Sequence, residues 1–124
     1  MSRAKILYVE GHAILRDVYA QLLGLSADFE LDVATNGLEG VHKAEIWQPD
    51  LILMGLRMPI MDGFEAIRLI RSQSTTAAIP IIVLSAWNSA NHKQRVFEAG
   101  ANAHLTPPIE IAELVKKIHA LLPH

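Results

Sequence analysis

A chain of 124 residues, 51% hydrophobic with 13 acidic against 11 basic side chains, has the size of one domain, residues 1–124, able to bury roughly two-thirds of its unfolded surface. The net charge of −2 and the scatter of Lys and Arg, with Lys116-Lys117 the only adjacent pair, leave no basic stripe for a nucleic acid. The absence of cysteine excludes disulfide and thiolate chemistry. Ser72 to Asn91 is free of acidic and basic side chains, but it contains Pro80 and many hydroxyls and makes no membrane span. Arg3 and Lys5 lead straight into a strand-like run, without the separate apolar segment of a signal peptide, so a cytoplasmic protein is expected.

In chain order, Lys5 to Val9 (KILYV) reads as an apolar strand, interrupted by Glu10-Gly11-His12. Ala13 to Leu25 then places Ile14, Leu15, Val18, Leu22 and Leu25 at helical spacing, the expected inward face. Phe29 to Ala34 alternates apolar and acidic residues, the pattern of an edge strand. Asn36-Gly37 turns the chain into a helix over Leu38 to Trp47, with Leu38, Val41 and Ala44 inward. It stops at Gln48 because the residue before Pro49 is disfavoured in the α region.

Leu51 to Met54 is a short apolar run between Pro49-Asp50 and Gly55, a fully buried strand of a parallel sheet. Asp62 suits the N-cap of a third helix carrying Phe64, Ile67 and Ile70, which runs out in Ser72 to Thr76. Pro80 to Leu84 is a further buried strand. Ser89 to Ala99 is a weakly amphipathic helix anchored by Val96 and Phe97 and ended by Gly100; it is expected to be the loosest. Ala103 to Thr106 is a fifth strand, and Ile111, Leu114, Val115, Ile118, Leu121 and Leu122 trace a last helical face. Strands alternating with helices imply right-handed crossovers and an α/β, flavodoxin-like (βα)5 doubly wound parallel sheet of order 2-1-3-4-5.

The string Pro49 to Gly63, PDLILMGLRMPIMDG, resembles the middle of the CheY-like receiver domain of two-component response regulators, whose usual form is PDLILMD followed by a loop with MPxMDG. The resemblance covers Lys5 to Leu122. It implies an aspartate at Gly55 that accepts a phosphoryl group from a histidine kinase, a Mg²⁺ held by acidic side chains, a hydroxyl and a lysine. Here the acceptor position holds Gly55, the directly coordinating acid of the pair after the first strand is Gly11, and the lysine is Pro107, followed by Pro108. Glu10, Ser85 and Pro108 are the retained family residues. His104 stands where the family commonly has a mobile Tyr or Phe and reads as a partly buried polar residue.

No other carboxylate is expected to replace the acceptor. Asp50 lies five residues up the strand, about 16 Å away. Asp62 is a cap, and Glu10 alone reads as an ordinary exposed glutamate. His12 beside Glu10 supplies only two unlike ligands and makes no metal site. Trp47 reads as packing, while Trp87 borders the site.

These features predict a pseudo-receiver: a non-enzymatic signalling module with no cofactor and no metal, binding a protein partner independently of phosphorylation. The partner expected is a signalling protein such as a histidine kinase or an output protein, with self-association left open. The surface expected is the face of the fourth helix, fifth strand and fifth helix, including Lys93, Arg95, His104, Glu113 and Lys117. Two alternatives stay open. One is a small-ligand sensor using the vacated crevice; the other is a residual phosphoacceptor.

Overall fold

A computed structural model describes residues 3–123. Ten elements alternate strictly: β1 (Ala4–Val9), α1 (Ala13–Gly24), β2 (Phe29–Ala34), α2 (Gly37–Trp47), β3 (Leu51–Met54), α3 (Gly63–Ser72), β4 (Ile81–Leu84), α4 (Ala90–Ala99), β5 (Ala103–Leu105) and α5 (Ile111–Leu121). The strands form one sheet of order β2-β1-β3-β4-β5, and every pairing is parallel. The flavodoxin-like architecture read from the strand–helix alternation is the observed one.

Successive side chains of a strand point to opposite faces, and the core divides accordingly. Ile6, Tyr8, Leu51 and Leu53 pack under α1 and α5 with Tyr19, Leu23, Leu114 and Ile118. Leu7, Val9, Ile52 and Met54 pack on the other side with Val41, Phe64, Ile67 and Val96 from α2, α3 and α4. Both faces of β1, β3 and β4 are therefore covered, which is why these strands read as apolar runs rather than alternations.

Two helices turn differently from expectation. On α1, Ile14, Val18, Leu22 and Leu25 are 72%, 47%, 38% and 83% exposed, while Tyr19 and Leu23 are the buried pair. At about 100° per residue, the apolar positions of α1 cover about half the helix circumference. Its centre is the arc that periodicity assigns to the core, but the sheet takes one edge of the arc. Tyr19 decides this rotation, because its hydroxyl accepts the Ile109 N–H at 3.0 Å as well as burying a large ring. On α4, Val96 and Ala99 are buried, and Phe97, expected as an anchor, is half exposed, being one residue and about 100° away from Val96. On α2, Leu38 lies at the exposed rim, leaving Val41 and Ala44 inward.

The chain between β3 and α3 is held very closely. The Gly63 N–H donates to the Leu56 carbonyl at 2.9 Å, and a Cβ on Gly63 would meet the Gly55 carbonyl oxygen. Only glycine lets the start of α3 come this near to the end of β3. Asp62 caps that helix as expected, its Oδ1 accepting the Glu65 N–H at 2.9 Å. Arg71, at the far end of α3, donates to the carbonyls of Ala77, Ile79 and Gly100 and to Asn102 Oδ1, tying α3 to the chain leading into β4 and to the α4–β5 turn.

Within the same loop, Ile60 has φ of 71° and is 78% exposed. A β-branched residue is strained in this region, by about 1–2 kcal/mol, and no burial offsets it. Ile60→Gly is expected to raise unfolding free energy by about 0.5–1 kcal/mol after the added unfolded-state entropy of glycine is subtracted. Urea unfolding of the two proteins measures it; an unchanged or lower midpoint would mean that Ile60 makes contacts that matter more than its backbone strain.

Candidate functional site

In a parallel sheet of this order the ligand crevice lies beyond the carboxyl ends of the strands. Glu10 and Gly11 follow β1, Gly55 follows β3, and Ser85 follows β4. The pairing of Val9 with Met54 places Glu10 abreast of Gly55. The consequence is the central feature of the site. A Cβ on Gly55 would lie 3.0 Å from Glu10 Oε1 and 3.2 Å from Oε2, so the Glu10 carboxyl group leans into the space that a longer residue at 55 would enter.

Glu10 is thus buried, which corrects the expectation of an exposed glutamate. Its Oε2 accepts the His12 N–H at 3.1 Å. Burial raises its pKa above the ordinary glutamate value, with partial relief from the His12 and Gly11 backbone amides, from His12 and from Arg16. Arg16 donates to the Glu10 carbonyl at 2.9 Å. Below Glu10, the Tyr8 hydroxyl is fully buried and has no hydrogen-bond partner; burial first, and the nearby Glu10 and Tyr19, push its pKa up.

The space beside Gly11 is also taken. A Cβ there would meet Met58 Cγ at 3.1 Å, Met58 Cα at 3.2 Å and Pro59 Cδ at 3.2 Å, so the β3–α3 loop rests against the bare glycine. His12 turns away to cap α1, its Nδ1 accepting the Leu15 N–H at 3.2 Å.

The crevice consists of two adjoining depressions of about 520 and 300 Å³, both bordered by His12, Leu56, Arg57 and Trp87. Ser85 lines the smaller one, but its hydroxyl is engaged, accepting the Trp87 N–H at 3.1 Å. Trp87 is sandwiched at the mouth, with the Arg57 guanidinium 4.9 Å from its ring on one contact and the His92 ring stacked at 4.9 Å on another. Sequence reading singled out Trp87 and missed Arg57, whose only signal was its place two residues after Gly55.

Pro107 and Pro108 do not reach this crevice. They join through a cis peptide bond and line a neighbouring apolar groove beside α1, which meets the smaller depression at His12, Leu15 and Ala86. His104 is half buried as expected: Nε2 lies 3.4 Å from the Ser85 carbonyl, while Nδ1 is buried without a partner. Burial lowers its pKa, aided by Lys93 and His92 and opposed by the Ser85 carbonyl. Of the charged residues on the expected partner face, Lys93, Glu113 and Lys117 are exposed, and Arg95 sits 4.0 Å over the Phe64 ring, pinning α4 to α3.

The donor set does not suit Mg²⁺, a hard cation that binds through carboxylates and substrate oxygens. Asp50 binds the Lys5 N–H at 2.8 Å at the far end of the sheet, Asp62 is committed to its helix, and Glu10 alone remains. Among the described residues, no group of three or more His, Asp or Glu is placed to hold a metal ion.

The doubly wound sheet and the strand-end crevice define a CheY-like α/β module. The sequence profile of the response regulator receiver domain matches residues 6–119, and the chain belongs to that family. Its structure is similar to the chemotaxis protein CheY4 of Vibrio cholerae, with 30% identity, a TM-score of 0.90, and 98% of this chain and 100% of that one covered. It is also similar to the receiver domain of sensor histidine kinase PA1611 of Pseudomonas aeruginosa, a structure with magnesium in its active-site cleft. There the identity is 31%, the TM-score 0.89, and the coverage 97% and 98%. Relatives in sequence include the DNA-binding transcriptional regulator RpaA of Synechocystis, 31% identical over 95% of this chain and 48% of that protein. PrrA of Mycobacterium leprae is 34% identical over 98% and 51%. The chain spans about half the length of these regulators.

Two substitutions check the site electrostatics. Because the folded-state pKa of Glu10 is raised, its contribution to stability is full below the ordinary glutamate value and is lost as pH rises through the folded one. Glu10→Gln is therefore expected to stabilise at neutral pH, by an amount that shrinks on acidification and vanishes near pH 4; thermal melts across that range measure it.

For His104 the sign is opposite. A lowered pKa makes stability fall as pH drops below the ordinary histidine value and through the folded one. His104→Phe removes both that loss and the unpaired Nδ1, with an expected gain of about 1 kcal/mol at neutral pH and more under acid. Equal pH slopes for the two proteins would show that the imidazole titrates as in the unfolded chain.

Proposed function

We propose that this receiver acts in two-component signalling as a non-enzymatic, non-phosphorylatable module that recognises a protein partner constitutively. The observation that carries the reading is the Glu10 carboxyl group filling the space beside Gly55. Gly55 stands where the family's acceptor aspartate is expected, and Met58 with Pro59 fills the side-chain space of the second acid position. A phosphoryl group would find no acceptor there, one carboxylate for a metal and a proline in place of the lysine; the Ser85 hydroxyl alone keeps a proton to donate.

The partner proposed is a signalling protein, a histidine kinase or an output protein, meeting Lys93, His104, Glu113 and Lys117 on the face of α4, β5 and α5, with Arg95 holding α4 in place. The mix of charges favours salt-sensitive association. A second reading has support from the crevice mouth, where the Arg57 guanidinium, held over the Trp87 ring, offers a cation to a small anion.

Incubation with a small phosphodonor and millimolar Mg²⁺ is expected to leave the intact mass unchanged, and melting curves with and without Mg²⁺ are expected to superimpose. A phosphoryl adduct on Glu10, Ser85 or any other residue, or a Mg²⁺-dependent rise in Tm, would overturn the proposal.

A further inference from the structure

The exposed apolar face of α1 is absorbed by neither the crevice nor the charged face. We propose that it is a self-association surface, taking α1 of a second copy of this chain in an antiparallel, two-fold contact.

The first argument is spacing. Leu15, Val18, Leu22 and Leu25 recur at intervals of three, four and three residues, the seam of a two-helix contact. Leu25 keeps right-handed helical backbone just past the last residue of α1, so the seam continues through it. It is also symmetric about Ala20. A two-fold axis there sets Leu15 against the second copy's Leu25 and Val18 against its Leu22, each pair occurring twice, as an isologous interface requires.

The second argument is charge. Between Ile14 and Leu25 the exposed stripe carries no ionised side chain; Asp17 and Arg16 lie beyond its edge, and Arg16 is turned to the Glu10 carbonyl. Two identical copies therefore meet without like-charge repulsion, and a strongly charged partner would find nothing to match.

The third is area. From the exposures of Ile14, Val18, Leu22 and Leu25, the stripe presents roughly 400 Å² of apolar surface, the size at which a patch on a monomer marks an interaction site. Beside it runs a groove of about 580 Å³ bordered by Ile14, Leu15, Val18, Leu22, Pro107 and Pro108, which receives the flank of the second helix. Two copies bury roughly 800 Å² of apolar surface in all, below the ~1,000 Å² of a standard specific interface and in the range of weak, transient contacts. The dimer is accordingly expected to be weak and concentration-dependent.

Sedimentation equilibrium between about 10 μM and 1 mM is expected to show a monomer–dimer transition that is insensitive to salt. Val18→Glu and Leu25→Glu, each at an exposed position, are expected to abolish it with nearly unchanged melting temperature. Mixing Val18→Glu with Leu22→Lys chains is expected to restore a dimer that neither forms alone, because residue 18 of one copy faces residue 22 of the other. A chain monomeric to 1 mM overturns the proposal, even if α1 then captures an amphipathic helix of another protein. So does a dimer that survives both glutamates, or one that dissolves in salt or on Arg95→Glu, which would place self-association on the charged face.

Discussion

The contact between Gly63 and the Gly55 carbonyl governs the geometry of this receiver's crevice. Because no side chain intervenes, the first turn of α3 sits against the end of β3 and the intervening loop has no freedom to swing outward. Asp62 fixes the same turn through the Glu65 amide. The loop must then lean on β1, where Met58 and Pro59 come to rest over Gly11. Glycine at residue 63 and the capping aspartate at residue 62 thus serve the fold directly, holding the β3–α3 loop in place.

The fold was legible because each level agreed with the next. Apolar runs of four to six residues marked strands covered on both sides, and the intervening helices were long enough only for crossovers in a parallel sheet. The cap at Asp62 and the stop at Gly100 could be read from residue type alone, and both recur in the structure. What periodicity could not settle was rotation. On α1 the apolar arc is wider than the sheet needs, and the choice between its centre and its edge depends on Tyr19 meeting Ile109, a contact 90 residues apart. On α4 Phe97 reads as an anchor together with Val96, yet its ring lies at the rim while Ala99 is buried beside Val96.

The site was legible as a set of missing groups, and illegible as to what fills them. Reading the chain position by position makes Glu10 an orphan at a strand end. Only the alignment of β1 beside β3, with Val9 opposite Met54, brings its carboxyl group against a residue 45 positions away. Burial follows from the lack of a side chain at residue 55, and the raised pKa follows from burial. The same order 2-1-3-4-5 that sequence reading produced contains this neighbour relation, so the inference was within reach once register was considered.

Filling makes the losses interdependent. A carboxylate introduced at residue 55 would enter the space of the Glu10 carboxyl group, and two acids at that range disfavour one another's ionisation. An acid at residue 11 would have to displace Met58 and Pro59, whose loop is held from the other side by Gly63 and Asp62. Substitutions at residues in contact do not act independently, so a side chain added at either position is coupled to a small shift of its neighbour, a turn of the Glu10 carboxyl group at residue 55 and a few tenths of an ångström in the Met58–Pro59 loop at residue 11. At the strand ends the Glu10 carboxyl group stands beside Gly55 and the Met58–Pro59 loop beside Gly11, while the crevice next to them stays open between His12, Leu56, Arg57 and Trp87.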